Sequence, residues 1–378
     1  MTKQMLIVTK HFNIGGAEKM LLRILPTFLS LGYKIDIFLL YNSRTLLEYK
    51  TNLWLNSSQC TVSSFFPYKD ERYKKIMKAK PDAVYREHIN EKYDIEMAFQ
   101  ESYATKIISK SPNKKSIKIA WIHSNFEEYH FSAHAYKDNL EEFQTYQKFN
   151  KIVFCSYSAM HAFDCTLHNN FQCKQVIYAP ISIKCCREYA NQYNFCSSTP
   201  YFLVLSRLSP QKGLERLIES ARILNNEGVS FKIIIVGSGE LEKKLQTMIL
   251  DYGLNTKVQL FSSVANPFPY FKNCIAYISP SYTESFGIAV QEAMCMSIPV
   301  IACDTPGTRE VLKGGEYGEI IQPSEKALAK ILKRCIYDTN FVKSLQKKSQ
   351  KGGAYWDLSR RDSQEKLKML LLPDTRIY

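Results

Sequence analysis

The sequence lacks a long apolar run. No segment of its 378 residues approaches the roughly 20 uncharged apolar residues that a membrane-spanning helix requires. The first residues, Met1 to Lys10, also lack the apolar stretch of a signal peptide. We therefore expect a soluble protein that is not exported.

Cysteines are present but form no familiar pattern. The chain has 11, an odd number, and no pair of Cys-x-x-Cys motifs, so the usual spacing of a zinc site is missing. Cys165, His168 and Cys173 lie close together in the sequence, and we interpret them as ordinary packing and surface residues. Free thiols in a chain without an export signal are typical of the reducing cytoplasm. We therefore expect a cytoplasmic protein without a metal site.

Acidic residues are outnumbered by basic ones. Lys and Arg total 50 against 36 Asp and Glu, which gives a net charge of +14. Such a chain attracts nucleic acid, anionic membranes or phosphate-bearing substrates, and the charge alone does not choose among them. Basic residues cluster at 72–80 and at 106–118, and no nucleic-acid-binding motif accompanies either cluster. A nucleic-acid-binding protein is an alternative that only the charge suggests, and we expect no nucleic acid as partner.

Short apolar runs alternate with segments of helical periodicity. The pattern predicts a strand at 5–9, a helix at 17–31 and a second strand at 35–41. Strands that alternate with helices indicate a parallel sheet covered by helices on both faces. The length and the 45% of hydrophobic residues are sufficient for two such domains.

A polar stretch from Lys184 to Pro200 interrupts this alternation, which restarts after it. We predict an α/β chain of two doubly wound domains, residues 1–185 and 201–353, joined by a linker at 186–200. Residues 354–378 are predicted to form a final helical segment. Sheets of this kind bind ligands beyond the carboxyl ends of their strands, so we expect the functional site in a cleft between the domains.

Two glycines separate the first strand from the first helix, in the segment Asn13-Ile14-Gly15-Gly16-Ala17-Glu18. Glycine lets the backbone approach a ligand closely, and the helix start offers free N–H groups to an anion. The third glycine of a dinucleotide fingerprint is missing, so NAD is not favoured. Gly15 and Gly16 are therefore candidate phosphate-binding residues, although a purely structural turn would have the same sequence.

Two cations follow the first strand of the second domain, in Ser206-Arg207-Leu208-Ser209-Pro210-Gln211-Lys212-Gly213. A loop at the carboxyl end of a strand that carries Arg207 and Lys212 can neutralise a diphosphate. The guanidinium binds two phosphate oxygens at once, whereas the ammonium acts as a point charge. A solvated loop with ordinary surface charges is the alternative.

The most specific motif runs from Ser281 to Ala293 and contains two glutamates, Glu284 and Glu292, with seven residues between them. The preceding run predicts a strand and the following run a helix, which places Glu284 on a loop and Glu292 inside the helix. Backbone N–H groups at the helix start suit a phosphate. Carboxylates beside a diphosphate suit the hydroxyls of a sugar and a ribose.

Together these motifs resemble a retaining glycosyltransferase of family 4, and in particular the bacterial enzymes of surface-polysaccharide and lipopolysaccharide synthesis. The resemblance extends over nearly the whole chain. It includes four further segments: Trp121-Ile122-His123, Tyr178-Ala179-Pro180-Ile181, Val236-Gly237-Ser238-Gly239-Glu240 and Asp304-Thr305-Pro306-Gly307-Thr308-Arg309-Glu310. The resemblance implies the GT-B fold, in which two Rossmann-like domains face each other across a cleft.

The resemblance also implies a role for each candidate residue. Catalytic roles are implied for His123, Arg207, Lys212 and Glu284, with the two cations on the diphosphate and Glu284 on the transferred sugar. Glu292 would hold the ribose hydroxyls. The implied donor site also includes Gly15, Gly16, Phe286, Gly287 and Ile288. Three departures from the family pattern, Ser206, Ala179 and Tyr157, affect the expected loop geometry and leave these residues in place.

The implied activity is that of a hexosyltransferase (EC 2.4) that uses a UDP- or GDP-sugar and retains the anomeric configuration. Because fixed cations and helix N–H groups can stabilise the departing diphosphate, neither a metal nor a cofactor is expected. The acceptor would be a glycan or a lipid-linked glycan in bacterial cell-surface polysaccharide synthesis. The alternatives are a catalytically inactive partner subunit of the same fold and, from another class, the charge-driven nucleic-acid binder; an epimerase is a further possibility.

The implied acceptor-binding domain is the N-terminal one, and the final helix would cross back to it. We hypothesise that the basic segment from Arg72 to Lys80 rests on an anionic membrane surface, on the inner face of the cell membrane. A solvated basic face would have the same composition.

Overall fold

The computed structural model of the chain describes residues 3–12, 15–42, 55, 57–66, 80–90, 92–168 and 171–372. Contacts divide the chain into two compact units. The first unit comprises residues 1–13, 17–179 and 361–378, and the second comprises residues 14–16 and 180–360. Within the described residues, no helix is both long enough and apolar enough to cross a bilayer.

The first unit is built on a parallel sheet. In its described part the strand order is β3-β2-β1-β4-β5-β6-β7. The strands are β1 (Lys3–Thr9), β2 (Tyr33–Tyr41), β3 (Cys60–Phe66), β4 (Ile95–Ala98), β5 (Ile117–Ile122), β6 (Lys151–Phe154) and β7 (Lys174–Val176). The helices are α1 (Gly16–Ser30), α2 (Pro81–His88), α3 (Tyr103–Ile108), α4 (Asn139–Tyr146) and α5 (Tyr157–Leu167).

Burial explains why these segments form strands and helices. The apolar run from Met5 to Val8 in β1 is completely buried, because a parallel sheet is covered by helices on both faces. Helix α1 buries Met20, Ile24 and Phe28, which recur at helical spacing along one side. The predicted elements at 5–9, 17–31 and 35–41 are therefore confirmed to within two residues at each end.

The second unit is built on another parallel sheet, with the strand order β10-β9-β8-β11-β12-β13. The strands are β8 (Tyr201–Leu205), β9 (Ile233–Val236), β10 (Val258–Phe261), β11 (Cys274–Ser279), β12 (Val300–Cys303) and β13 (Glu319–Ile321). The helices are α6 (Ile183–Ala190), α7 (Leu214–Asn226), α8 (Glu242–Asp251), α9 (Ile288–Cys295), α10 (Pro306–Val311), α11 (Glu325–Tyr337) and α12 (Thr339–Leu370).

Both sheets have the strand order of a doubly wound fold, so the predicted α/β class is confirmed. In each sheet the order reverses between two adjacent strands: β1 and β4 in the first unit, β8 and β11 in the second. From the carboxyl ends of such a strand pair the chain leads to helices on opposite faces of the sheet. The crevice that these connections leave is where ligands bind in this class of fold.

The segment predicted as a linker contains most of helix α6. This helix packs on the second unit through Tyr189, whose ring stacks on that of Phe268 at 5.7 Å. The Asn266 side-chain amide donates to the Tyr189 carbonyl oxygen at 2.8 Å. Residues 183–190 are thus held by specific contacts within this unit.

The final helical segment is the end of a longer helix, α12, which begins at Thr339. Contacts assign its residues through Arg360 to the second unit and those from Arg361 to the first. Gly353 lies inside this helix, although glycine usually weakens a helix interior. A Cβ at Gly353 would overlap the carbonyl oxygen of Met294 at the end of α9, so glycine is required there by close packing.

Candidate functional site

Two predicted motifs of the second unit lie at the carboxyl ends of β8 and β11, the adjacent strands where the sheet order reverses. The loop after β8 carries Arg207 and Lys212, and the loop after β11 carries Glu284. The two loops touch through their backbones, because the Tyr282 N–H donates to the Gln211 carbonyl oxygen at 2.8 Å. The strand order thus brings together residues that are about seventy positions apart in sequence.

Lys212 and Glu284 form an ion pair. The Nζ of Lys212 lies 2.7 Å from Oε1 of Glu284, and the side chains are only 22% and 17% exposed. The hydroxyl of Ser281 donates to the same carboxylate oxygen at 2.9 Å. The carboxylate is therefore held by two donors, one from each strand's loop.

Gly213 ends the loop after β8 and allows the two loops to come this close. Its φ of +62° lies in the left-handed region that favours glycine. A Cβ at this position would overlap the carbonyl oxygen of Pro280. Any side chain here would push the Lys212 loop away from the Glu284 loop.

Arg216 ties the Glu284 loop to its surroundings, and sequence reasoning missed it. Its Nη2 donates to the carbonyl oxygens of Pro280 and Ser281, and its Nη1 donates to that of Pro323 at 2.6 Å. The guanidinium also lies 4.1 Å from the ring centroid of Tyr282. The side chain is 6% exposed, and since its hydrogen-bond partners are backbone carbonyls, no sequence motif could have revealed them.

Helix α9 begins directly after the Glu284 loop. Gly287 precedes its first residue with a φ of +96°, and Phe286 packs edge-on against Trp356 with the ring centroids 5.2 Å apart. The Trp356 indole N–H in turn donates to the Val311 carbonyl oxygen at 3.1 Å. The start of α9, at Ile288, is therefore fixed, and helix starts of this kind attract anions.

Glu292 lies inside α9, as the sequence predicted, and its side chain is completely buried. Burial raises the pKa of the Tyr277 phenol on β11 well above its usual value, and the charges of Glu284 and Glu292 raise it further. The negative charges of both glutamates of the motif therefore raise the pKa of the same buried tyrosine.

Arg207 is exposed on the loop after β8. The loop itself is fixed by the turn that follows β9: the Leu208 N–H donates to the Ser238 carbonyl oxygen, and the Leu241 N–H donates to the Leu208 carbonyl oxygen, each at 3.0 Å. Residues 237–240 form the turn between β9 and α8. This turn supports the backbone on both sides of Arg207.

His123 belongs to the first unit and follows β5. Its ring lies 4.8 Å from that of Phe99 and is stacked with that of Trp121 at 6.2 Å. Burial lowers the pKa of the imidazole below its usual value, although the carboxylates of Glu101 and Glu18 act in the opposite direction. The ring is therefore neutral at pH 7.

Glu101 is a second residue that sequence reasoning missed. It follows β4, is 5% exposed, and its Oε2 accepts a hydrogen bond from the His123 N–H at 3.0 Å. Its other oxygen accepts one from the Ser124 hydroxyl. The next residue, Ser102, has a φ of 86°, which is rare for any residue other than glycine. Nothing in the sequence around these residues distinguishes them from ordinary loop residues.

Gly15 and Gly16 stand at the start of α1, and Asn13 and Ile14 of the same motif lie outside the described residues. Of the predicted site residues, Lys212 and Glu284 are in direct contact. Arg207, Phe286, Gly287, Ile288 and Glu292 belong to the same unit and to the same two loop-and-helix segments, whereas His123 belongs to the first unit.

Comparison with known proteins agrees with this geometry. Residues 187–352, which contain Arg207, Lys212, Glu284 and Glu292, match the family model of the group 1 glycosyl transferases. The capsular polysaccharide biosynthesis glycosyltransferase CapM of Staphylococcus aureus is 27% identical over 143 residues, which are 37% of this chain and 38% of that protein. The amylovoran biosynthesis glycosyltransferase AmsK of Erwinia amylovora is 33% identical over 141 residues, 35% of each chain. The chain thus spans little more than a third of the length of these relatives.

Similarity to solved structures extends further. The structure of Anabaena HepE in complex with UDP and glucose has a TM-score of 0.75 and 18% identity, and covers 98% of this chain and 99% of that one. WaaG, a glycosyltransferase involved in lipopolysaccharide biosynthesis, has a TM-score of 0.68 and 14% identity, and covers 97% and 99%. The GT-B fold predicted from the sequence is confirmed, and residues 187–352 carry the sequence pattern of the group 1 glycosyl transferases.

Proposed function

We propose that the chain is a retaining glycosyltransferase of family 4 that transfers a sugar from a nucleoside-diphosphate sugar to a glycan. The observation that carries this proposal is the Lys212–Glu284 ion pair, 2.7 Å long, at the carboxyl ends of β8 and β11. There the doubly wound fold binds its ligands. A cation for a diphosphate and a carboxylate for sugar hydroxyls thus stand side by side.

The diphosphate is assigned to Arg207, Lys212 and the start of α9. An ammonium group has three N–H donors, and the bond to Glu284 uses one, which leaves the others for phosphate oxygens. Arg207 is exposed on the same loop as Lys212 and can bind two oxygens at once. Because these fixed positive charges neutralise the departing diphosphate, the proposed reaction requires no metal and no cofactor.

The sugar and the ribose are assigned to the two glutamates. Glu284, held by Lys212 and Ser281, is oriented to accept a hydrogen bond from a hydroxyl of the transferred sugar. Glu292 is proposed to accept from the ribose hydroxyls. Its burial places that interaction in a medium of low dielectric constant, where hydrogen bonds are strong.

Retention is proposed to follow from attack on the face of the sugar that the diphosphate leaves. The bond between the anomeric carbon and the phosphate oxygen breaks, the bond to the acceptor oxygen forms, and the acceptor proton passes to the departing phosphate oxygen. We assign His123 to the surroundings of the sugar, as a neutral imidazole. Arg207 and Lys212 stabilise the charge that develops on the leaving group.

The biological role that we propose is the synthesis of a bacterial cell-surface polysaccharide, since CapM and AmsK are named for capsular polysaccharide and amylovoran. The acceptor would be a glycan or a lipid-linked glycan at the inner face of the membrane. The basic segment at 72–80 lies outside the described residues except for Lys80. Failure of the full chain to co-sediment with vesicles of anionic lipid at low salt would rule out the membrane part of this proposal.

The test of the donor site is the thermal stability of the protein with UDP, GDP and their sugars in the presence of a chelator. We expect one nucleoside-diphosphate family to stabilise the wild type and not Lys212→Ala. The matched control is Lys333→Ala, which removes an equal charge from an ion pair of equal length with Glu227. Glu227 follows the end of α7 that lies farthest from Lys212 along the helix. Stabilisation by no nucleotide, or loss in both variants alike, would count against the donor site.

Transfer distinguishes the enzyme from the alternatives. Release of the nucleoside diphosphate that depends on an added glycan acceptor supports a transferase, whereas release without acceptor would indicate an epimerase or a hydrolase. Donor binding without any turnover would indicate the catalytically inactive partner subunit. Binding of nucleic acid with a steep salt dependence, unaffected by nucleotide sugars, would support the charge-driven alternative.

A further inference from the structure

Three side chains of the types that bind transition metals lie together on the surface of the first unit: Glu127, His161 and Cys165. Each is exposed, and one ligand atom from each lies within 4.8 Å of the other two. None of them has a role in the proposed transfer reaction. In the folded chain the ligand atom of Cys165 lies beside those of Glu127 and His161.

The two soft ligands come from one helix. His161 and Cys165 are four residues apart on α5, so their side chains lie on the same face. The Cys165 Sγ is 3.6 Å from Nδ1 of His161. A tetrahedral zinc ion with its usual bonds to sulfur and nitrogen separates those two atoms by about 3.6 Å. The Cys165 Sγ is also 3.9 Å from Nε2 of His161, so the helix holds the sulfur and the imidazole at a separation close to that in a zinc site.

The helix that carries these ligands is firmly held. Its N-cap, Ser156, accepts a hydrogen bond from the Ala159 N–H at 3.1 Å. Asp164, the residue before Cys165, pairs with Lys174 of β7 at 2.6 Å. The side chains of Ala159 and Phe163 are completely buried in the core of the unit. Little reorganisation of the helix is needed for metal binding.

The third ligand is held against the same helix. The Asn125 side-chain oxygen accepts a hydrogen bond from the Glu127 N–H at 3.1 Å. Between them, Phe126 is 2% exposed and packs on Phe163 of α5 with the ring centroids 5.3 Å apart. A buried aromatic contact thus fixes the loop of Glu127 relative to the face that carries Cys165.

We propose that Glu127, His161 and Cys165 form a binding site for a divalent transition-metal ion, with Zn²⁺ as the ligand that best fits the donor set. Thiolate and imidazole select such ions over Mg²⁺ or Ca²⁺. When the Zn–S bond forms, the thiol proton is released to solvent. Thiolate and carboxylate together then neutralise the charge of the ion. Three protein ligands leave one tetrahedral position for water.

Metal titration of the full chain tests this site. The protein is freed of metal with a chelator, kept reduced, and titrated with Co²⁺ and with Zn²⁺ against a competing chromophoric indicator. We expect a thiolate-to-cobalt absorption band and one tightly bound Zn²⁺ that displaces the cobalt. Cys165→Ser and His161→Ala should lose the band, and each should weaken zinc binding by at least about 10–100-fold, the loss that even an outer-shell substitution causes. Glu127→Gln should keep the band and weaken zinc binding.

Other cysteines provide the control. Cys185 and Cys196 are also exposed and free, so Cys185→Ala and Cys196→Ala should retain the full cobalt band. Because the three proposed ligands are exposed, their variants should melt at the wild-type temperature without metal. An unchanged zinc affinity in both Cys165→Ser and His161→Ala would overturn the proposal. Loss of the band in Cys196→Ala or Cys185→Ala would overturn it as well.

Discussion

The ammonium of Lys212 lies 2.7 Å from the Glu284 carboxylate, although the two residues belong to loops of different strands. This ion pair should affect ligand binding by Lys212 and by Glu284 in different ways. In the proposed donor site a diphosphate would share Lys212 with Glu284, so the carboxylate would compete with the phosphate for the same cation. A sugar hydroxyl, in contrast, requires the carboxylate itself.

Substitution of each partner should therefore have a different effect. We expect Lys212→Ala to weaken binding of the nucleoside diphosphate by roughly 10–100-fold, since a hydrogen bond to a charged group contributes about 1.5–3 kcal/mol. Glu284→Gln should leave that affinity unchanged or increase it, while it slows sugar transfer strongly. Calorimetric titration with the nucleotide and a transfer assay measure the two effects. Equal losses of nucleotide affinity in both variants would contradict the competition between carboxylate and phosphate for Lys212.

A glycine pair tests the contact between the two loops. Gly213 and Gly228 both have left-handed φ values, +62° and +68°, but only at Gly213 would a Cβ overlap a neighbour, the Pro280 carbonyl oxygen. Gly228→Ala should cost about 1–2 kcal/mol of stability, the strain of a side chain in this region. Gly213→Ala should cost clearly more and should also weaken nucleotide binding. Denaturant unfolding measures the stability of both variants, and nucleotide titration measures their affinity. Equal losses of stability and equal affinities in the two variants would contradict the prediction.

Two arginines of α7 form a second matched pair. Arg216 is buried and donates to the carbonyl oxygens of three residues around the Glu284 loop, whereas Arg222 is exposed and pairs with Glu219 at 2.9 Å. We expect Arg216→Met to lower the free energy of unfolding by about 2–4 kcal/mol, because buried carbonyls lose their donor. Arg222→Met should change it by less than about 1 kcal/mol.

The same arginine variants should also differ in ligand binding. Since Arg216 positions the backbone on which Glu284 lies, Arg216→Met should raise the KM for the donor, and Arg222→Met should not. A fully active, fully stable Arg216→Met protein would mean that the Pro280–Ser281 backbone is held without it. Initial rates at varied donor concentration, at a temperature where both variants are folded, separate this effect from unfolding.

The sequence predicted which strand, loop or helix carries each of the main residues of this site. Strand periodicity, the cation motif after β8 and the glutamate motif placed Lys212, Glu284 and Glu292 on the elements where the structure has them. Contacts that join distant segments could not be predicted. Arg216 bonds to backbone carbonyls, which every residue has, so its role depends on the path of the chain alone.

The same limit applies to the first unit and to helix α12. Cys165 was grouped with its neighbours in sequence, whereas its neighbour in space, Glu127, comes from a loop 38 positions earlier, held by the Phe126–Phe163 contact. Likewise, the sequence does not show the Met294 carbonyl against which Gly353 packs inside α12. In each case the missing information is a contact between elements, not a local propensity.

His123 gives a prediction about pH. Burial lowers the pKa of its imidazole in the folded chain, whereas in the unfolded chain the value is close to 6.5. As the pH falls below 6.5, the unfolded chain therefore binds a proton that the folded chain does not, and the folded state loses stability. Above this range both states are neutral at His123 and the effect disappears. His123→Gln, which cannot titrate, should lose less stability than the wild type between pH 7 and the acidic range.

Two measurements check this sign. Denaturant unfolding at a series of pH values gives the free energy of unfolding of the wild type and of His123→Gln. Below pH 6.5 this free energy should fall more steeply with decreasing pH in the wild type than in the variant. The imidazole carbon signal that disappears in the variant should titrate with a midpoint below 6.5 in the folded wild type. A midpoint above 6.5 would mean that the Glu101 and Glu18 carboxylates outweigh burial. His123 would then be a cation near neutral pH, and its proposed place beside the sugar would have to be that of a charged group.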